Sequence, residues 1–257
     1  MAPATKTKTK PTAKKVAARK TATESSTRPL PARVDEAVAM LRRKATRHTL
    51  EGMARYGLPS DHAMGVAVSD IQKVGKELGR DHDLALALWD TGWYEARMLV
   101  AFIGEPGRLT GAQMDRWSRD FDNWGIVDTL CFNLFDRSPH AWSRVLKWKD
   151  RKDEFQKRAA FALLACLALH DKAAPDKGFL EGLRFIEEAA DDERNFVKKG
   201  SSWALRLIGR RNPKLYAAAL GLAKRLAASS DAAERWLGKN ALRELTRPDL
   251  VKRLARA

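Results

Sequence analysis

Apolar residues recur at intervals of three and four along most of this chain, the period of a helix with one buried face. Val34, Ala37, Val38, Leu41 and Ala45 open that pattern. Asp35 and Glu36 lie in the first turn, where carboxylates suit the positive end of the helix dipole. The pattern predicts a helix to about Tyr56, ended by Gly57-Leu58-Pro59-Ser60. A second helix is predicted from about Met64 to Leu78, with Gly79 as its stop. A third starts near His82, and Glu95 to Ile103 forms another, closed by Gly104 to Gly107. Thr110 is placed to cap a short helix through Phe121, and Trp124 to Phe135 forms the next.

Ser138 and Pro139 read as the N-cap and first residue of a further helix. From Asp153 or Glu154 onward, Phe155 to Leu169 is apolar on nearly every side, so that helix belongs in the middle of a pile of others. Helices at about 176–190, 192–210, 213–226, 230–246 and 248–256 complete the chain, and no stretch alternates as a strand would. The fold class is all-α.

Two offsets point to repetition. Lys157-Arg-Ala-Ala-Phe161-Ala-Leu163 resembles Lys199-Gly-Ser-Ser-Trp203-Ala-Leu205, 42 residues later. Ala204-Leu-Arg206 returns as Ala241-Leu-Arg243, 37 residues later. Such offsets fit helical-pair repeats, which stack into a curved solenoid with a concave binding face.

The first 33 residues break the pattern. They hold six Lys, three Arg and one acid, Glu24, with little bulky apolar material to bury. This stretch is expected to be a disordered basic arm (1–33), followed by the helical repeat domain (34–257). It reads as an arm holding DNA phosphates, the alternatives being a solubilising tail or a targeting leader. The net charge of +16 and the pI near 10.1 also call for a polyanionic partner. No apolar run approaches the length of a membrane span, no apolar segment follows the basic start as in a signal peptide, and no membrane role is expected. Cys131 and Cys166 read as buried thiols of a cytosolic protein. The five His are scattered, and no phosphate loop or nucleophile elbow is present, so no metal and no small-molecule cofactor is expected.

The candidate chemistry lies in Asp120 to Asp136. Trp124 and Asp128, four apart, share one helix face, placing an indole beside a carboxylate. Arg158 follows 34 residues after Trp124, and Trp203 45 residues after Arg158, each near one repeat. Residues one repeat apart lie side by side, so all four can line one patch. Arg158 also stands four residues after Glu154, a spacing for a helix ion pair. Trp203 emerges from the small, cationic run Lys198-Lys199-Gly200-Ser201-Ser202, which points it outward toward a phosphate backbone.

With these segments the chain resembles the AlkD-like DNA alkylation repair glycosylases, which are HEAT-like repeat proteins, over about Arg33 to Arg256. The likeness rests on Asp122-Asn-Trp124-Gly-Ile-Val-Asp128, Phe155-Gln-Lys-Arg158-Ala-Ala-Phe161 and Lys198-Lys-Gly-Ser-Ser-Trp203-Ala-Leu-Arg206. The resemblance implies a HEAT-like solenoid whose active site uses Trp124, Asp128 and Trp203. Arg158 would hold the DNA, and Lys198 and Lys199 would add phosphate contacts. It further implies hydrolysis of the N-glycosidic bond of cationic alkylpurines in duplex DNA, by a monomer in the nucleoid-associated cytoplasm. The family's aromatic near the N-terminus has no secure counterpart, Tyr56 being the nearest. The competing class is a noncatalytic repeat protein that binds damaged, bent or branched DNA. A protein-binding scaffold, the third reading, leaves the charge unexplained.

Overall fold

A computed structural model describes residues 28–256. Most of the basic arm, residues 1–27, lies outside the described residues. Its last part is helical: α1 spans Leu30–Arg42, with Pro29 as N-cap and Pro31 in the first turn. Proline suits that position, because the N–H it lacks has no intrahelical partner there. Arg33, the last residue assigned to the arm, pairs with Asp81.

The pattern read as one helix to Tyr56 divides. α1 ends at Arg42, and Thr46 accepts from the Thr49 amide (3.2 Å) to start α2 (Arg47–Met53), followed by a 3-10 turn at Ala54–Tyr56. The next helix, α3 (Val68–Leu78), begins later than its hydrophobic pattern. The amides of Met64, Gly65 and Val66 are not free to open it, because all three donate to the fully buried carboxylate of Glu95 at 2.7–3.1 Å. Gly65 fits this loop through a positive φ of 85°, and a Cβ there would meet the Thr46 carbonyl at 2.5 Å.

The remaining helices follow the predicted order. They are α4 (His82–Asp90), α5 (Tyr94–Ile103), α6 (Gly111–Ser118), α7 (Trp124–Asn133), α8 (Ala141–Trp148) and α9 (Glu154–His170). Then come α10 (Asp176–Glu188), α11 (Asn195–Ile208), α12 (Pro213–Ala227), α13 (Ala232–Leu245) and α14 (Pro248–Leu254). No strand occurs among the described residues. Thr110 and Gln113 form a reciprocal cap on α6, which stops at Ser118 instead of Phe121. α8 starts two residues after Pro139, since the Ser138 hydroxyl accepts from the His140 amide instead of a helical one.

The helices form two rows. α3, α5, α7, α9, α11 and α13 pack successively side by side, and α8, α10 and α12 lie against that row. α9 is buried along almost its whole length, as its all-round apolar composition predicts. The 42-residue offset relates α9 to α11 and the 37-residue offset relates α11 to α13, so both repeats run along the first row. A HEAT-like solenoid results. Trp89, Trp117 and Trp148 are fully buried, and Trp117 stacks on Trp89 at 4.8 Å. Cys131 and Cys166 are buried free thiols, as expected. No helix among the described residues is long and apolar enough to cross a membrane.

The last turn of the row depends on Gly238. A Cβ there would lie 2.2 Å from the Ala227 nitrogen and 2.7 Å from the Ala223 carbonyl of α12. Gly238→Ala is therefore expected to force α12 and α13 apart and destabilise the protein by about 1–3 kcal/mol, as overpacking does. A thermal transition equal to that of the wild type would show that the crossing tolerates the methyl group.

Candidate active site

Each residue singled out in the sequence sits on the first row of helices. Trp124 and Asp128 are on α7, Arg158 on α9, and Lys198, Lys199 and Trp203 on α11. α7 is started by Asn123, a buried residue whose side-chain oxygen accepts from the Ile126 amide (2.9 Å). Asp153 does the same for α9 through the Gln156 amide (2.9 Å). These two caps fix where the first turns begin, and so which face carries Trp124 and Arg158.

Arg158 does not pair with Glu154. Its Nε donates to Asp128 Oδ1 (3.0 Å) and its Nη2 to Asp128 Oδ2 (2.7 Å), a bidentate pair across neighbouring helices. Its Nη1 donates to the Phe196 carbonyl (2.8 Å). Glu154 is used elsewhere and accepts from the Phe196 amide (2.9 Å), tying the start of α11 to the start of α9. The side chain of Arg158 is 7% exposed and that of Asp128 22%, so the carboxylate is the member of the pair that reaches the surface. Burial pushes the Asp128 carboxyl above its ordinary value, and the Arg158 guanidinium pulls against that shift.

Two hollows meet at this ion pair. One, of about 530 Å³, is walled by Trp124, Tyr56, Phe196 and Lys199 together with Asp128 and Arg158. The other, of about 420 Å³, is walled by Trp203, Arg206, Trp236 and Lys199 with the same pair. Trp124 thus lines one of the two hollows that share Asp128, and Trp203 lines the other. The Trp124 indole N–H donates to the Tyr56 carbonyl (2.8 Å), which anchors the ring to the 3-10 turn. Lys199 is exposed on the rim of both hollows, and the Lys198 ammonium stands 5.1 Å from the centre of the Trp236 ring.

Tyr56, the nearest candidate for the family's aromatic near the N-terminus, is 67% exposed and lines the hollow that also holds Trp124. Other lining residues escaped the sequence reading. Trp236 and Asn240 had a signal: the offset of 37 maps Lys199 onto Trp236 and Trp203 onto Asn240. Among the described residues no group of three or more His, Cys, Asp or Glu is arranged to hold a metal ion.

An all-helical repeat solenoid with a carboxylate held by a guanidinium, flanked by indoles and rimmed by cations, is a scaffold suited to a polyanionic ligand. The sequence matches the family described as "DNA alkylation repair enzyme" over residues 37–245, and the chain belongs to that family. Among solved structures it is similar to one described as a new family of proteins related to the HEAT-like repeat DNA glycosylases with affinity for branched DNA structures. That match has a TM-score of 0.69 at 19% identity and covers 82% of this chain and 95% of the other. A designed armadillo repeat protein matches with a TM-score of 0.38 at 14% identity, over 88% of this chain and 99% of its own. No curated protein sequence matches the chain.

Proposed function

We propose that this protein is a DNA glycosylase that hydrolyses the N-glycosidic bond of cationic alkylated purines, of the 3-methyladenine and 7-methylguanine type, in duplex DNA. The observation that supports it most is the Asp128 carboxylate, held at both oxygens by Arg158 yet facing the cleft between Trp124 and Trp203. An alkylated purine already carries the positive charge that makes it a good leaving group, so no strong general acid is required. As the bond from C1′ to the purine nitrogen lengthens, its electron pair goes to the base, which departs neutral, and the deoxyribose becomes oxocarbenium-like. Asp128 and the two indoles would stabilise that developing cation. Water adds to C1′ and passes a proton to Asp128, whose raised basicity suits the role, and from there to solvent.

In this reading Arg158 positions Asp128, and exposed Lys199 and its neighbour Lys198 contact phosphates. Release of 7-methylguanine from alkylated duplex by the purified protein, with enzyme in excess, tests the proposal directly. The alternative is a noncatalytic protein for damaged or branched DNA, which the affinity of its structural relative for branched DNA favours. Tight binding of alkylated duplex without base release would select that alternative.

The basic segment is proposed to add phosphate contacts. Removing residues 1–27, which carry seven cations, is expected to lower the salt dependence of DNA binding by up to about 6 in slope. Helix α1 begins after this cut, so the thermal transition should stay in place. An unchanged slope would rule out a DNA-contacting arm.

A further inference from the structure

We propose that the hollow between α2 and the start of α3 is a docking site for a partner protein, through an acidic segment that carries a bulky apolar side chain. The site is separate from the Asp128–Arg158 pair, neither member of which lines it, and it does not depend on base excision.

The hollow is bounded by α2, the 3-10 turn after it, the first residue of α3 and Tyr94 of α5. Its volume is about 330 Å³, at the low end of small-ligand sites, roughly 300–1,000 Å³. Met53, Leu58, Val66, Val68 and Tyr94 give it an apolar lining. Two large apolar side chains left exposed on the protein, Tyr56 (67%) and Val68 (45%), stand at this one place. Tyr94 supplies a polar group inside. It is 9% exposed, and its hydroxyl makes no hydrogen bond with another described residue. Burial pushes its pKa up to about 12, so it stays a phenol and can donate to a peptide carbonyl or a carboxylate. An apolar hollow with one spare donor fits a side chain that arrives with its backbone.

The charge around the hollow is positive. Residues 42–48 are all exposed and include Arg42, Arg43, Lys44, Arg47 and His48 but no acid. The Thr46 amide donates to the Gly65 carbonyl (2.8 Å), which holds this corner against the wall at Val66. His48 and Arg55 line the hollow itself. Glu51 lines it too, but Arg47 pairs with that carboxylate (2.6 Å), whereas Arg43, Lys44 and Arg55 form no ion pair with a described carboxylate. The sign of this charge decides between occupants. Residues 1–27 carry seven cations and one acid, and a second copy of the chain brings a net +16, so both are repelled. DNA has the right sign, but its apolar groups are stacked inside the duplex and do not fill an apolar hollow. An acidic segment with an exposed Phe or Leu meets both requirements. Arg55 and Tyr56 also border the hollow that holds Trp124, so the bound partner lies beside the cleft.

The test uses the full chain and two labelled peptides with blocked ends, Asp-Asp-Phe-Asp-Asp and Asp-Asp-Ala-Asp-Asp, with binding followed by fluorescence anisotropy at low salt. The Phe peptide is expected to bind about tenfold more tightly, the effect of burying one bulky apolar side chain. Val68→Asp places a carboxylate at the mouth of the hollow, at the first position of α3, where an acid suits the helix dipole. This variant should lose the difference between the peptides and bind a fully paired DNA duplex as the wild type does. Equal binding of the two peptides by the wild type, or none, would overturn the proposal. So would a loss of DNA binding in Val68→Asp as large as its loss of peptide binding, which would assign the hollow to the DNA surface. A benzophenone in place of the Phe ring locates the site in the wild type without any substitution. It should label Met53 or the chain around it, and labelling confined to other parts of the protein would overturn the assignment. None of these outcomes depends on release of an alkylated base, so the two proposals fail separately.

Discussion

Asp128→Asn is expected to slow the single-turnover release of 7-methylguanine by about 10²–10³. That is the usual effect of losing one preorganised electrostatic contact at a reacting centre, about 2.7–4 kcal/mol. The substitution keeps size and shape, so α7 and its Asn123 cap should persist. It removes the negative charge that would face the sugar in the proposed reaction, and one oxygen that accepts from Arg158 becomes a donor facing Nε or Nη2. Some stability will be lost through that mismatch, so the rate must be read with saturating enzyme below the variant's melting temperature. Trp124→Ala should slow the same step by less, because a cation–π contact is worth about 0.5–2 kcal/mol. An Asp128→Asn protein that excises at the wild-type rate would show that the carboxylate takes no part in the chemistry.

Arg158→Ala is expected to act first through Asp128. Breaking a buried ion pair by removing one member typically destabilises by about 3–5 kcal/mol, and the 22% exposure of Asp128 places this pair near the lower figure. Without the guanidinium only burial acts on the Asp128 carboxyl, so its pKa rises further above the ordinary value. Two pH effects follow. In the proposed reaction activity depends on the ionised carboxylate, so the acid limb of kcat/KM should lie at higher pH in the variant than in the wild type. Stability behaves in the opposite sense. A carboxyl whose folded pKa is raised binds its proton more readily when folded, so the variant's deficit should shrink as pH falls through that pKa. Melting temperatures across acidic and neutral pH, with rates on the same samples, separate these effects. An Arg158→Ala protein with an unchanged melting temperature and acid limb but weak DNA binding would return Arg158 to the DNA-holding role that the family resemblance implies.

The amino-acid sequence by itself determined the class of fold and the helices of the first row. α7, α9 and α11 were legible because their apolar periods are long, and because Asp153, and for α6 Thr110, are side-chain caps that mark a start locally. The two repeat offsets also held, since they record how one row of helices is laid down along the chain. Where boundaries moved, a distant group was the cause. α3 starts late because Glu95, about thirty residues on, takes the amides of Met64, Gly65 and Val66. α1 starts early in a stretch that composition alone marks as unstructured, where Pro29 and Pro31 are compatible with a first helical turn and Arg33 reaches Asp81.

The site divides in the same way. Trp124 and Asp128 are four residues apart, so their shared face follows from helix geometry alone. What Arg158 faces depends on the separation and alignment of α7, α9 and α11, set partly by the bond between Glu154 and the Phe196 amide. A local spacing rule offered Glu154 as its partner. Only the tertiary structure places the Asp128 carboxylate within 2.7 Å of the guanidinium, because a side chain's nearest charge is chosen by packing between helices and not by distance along the chain.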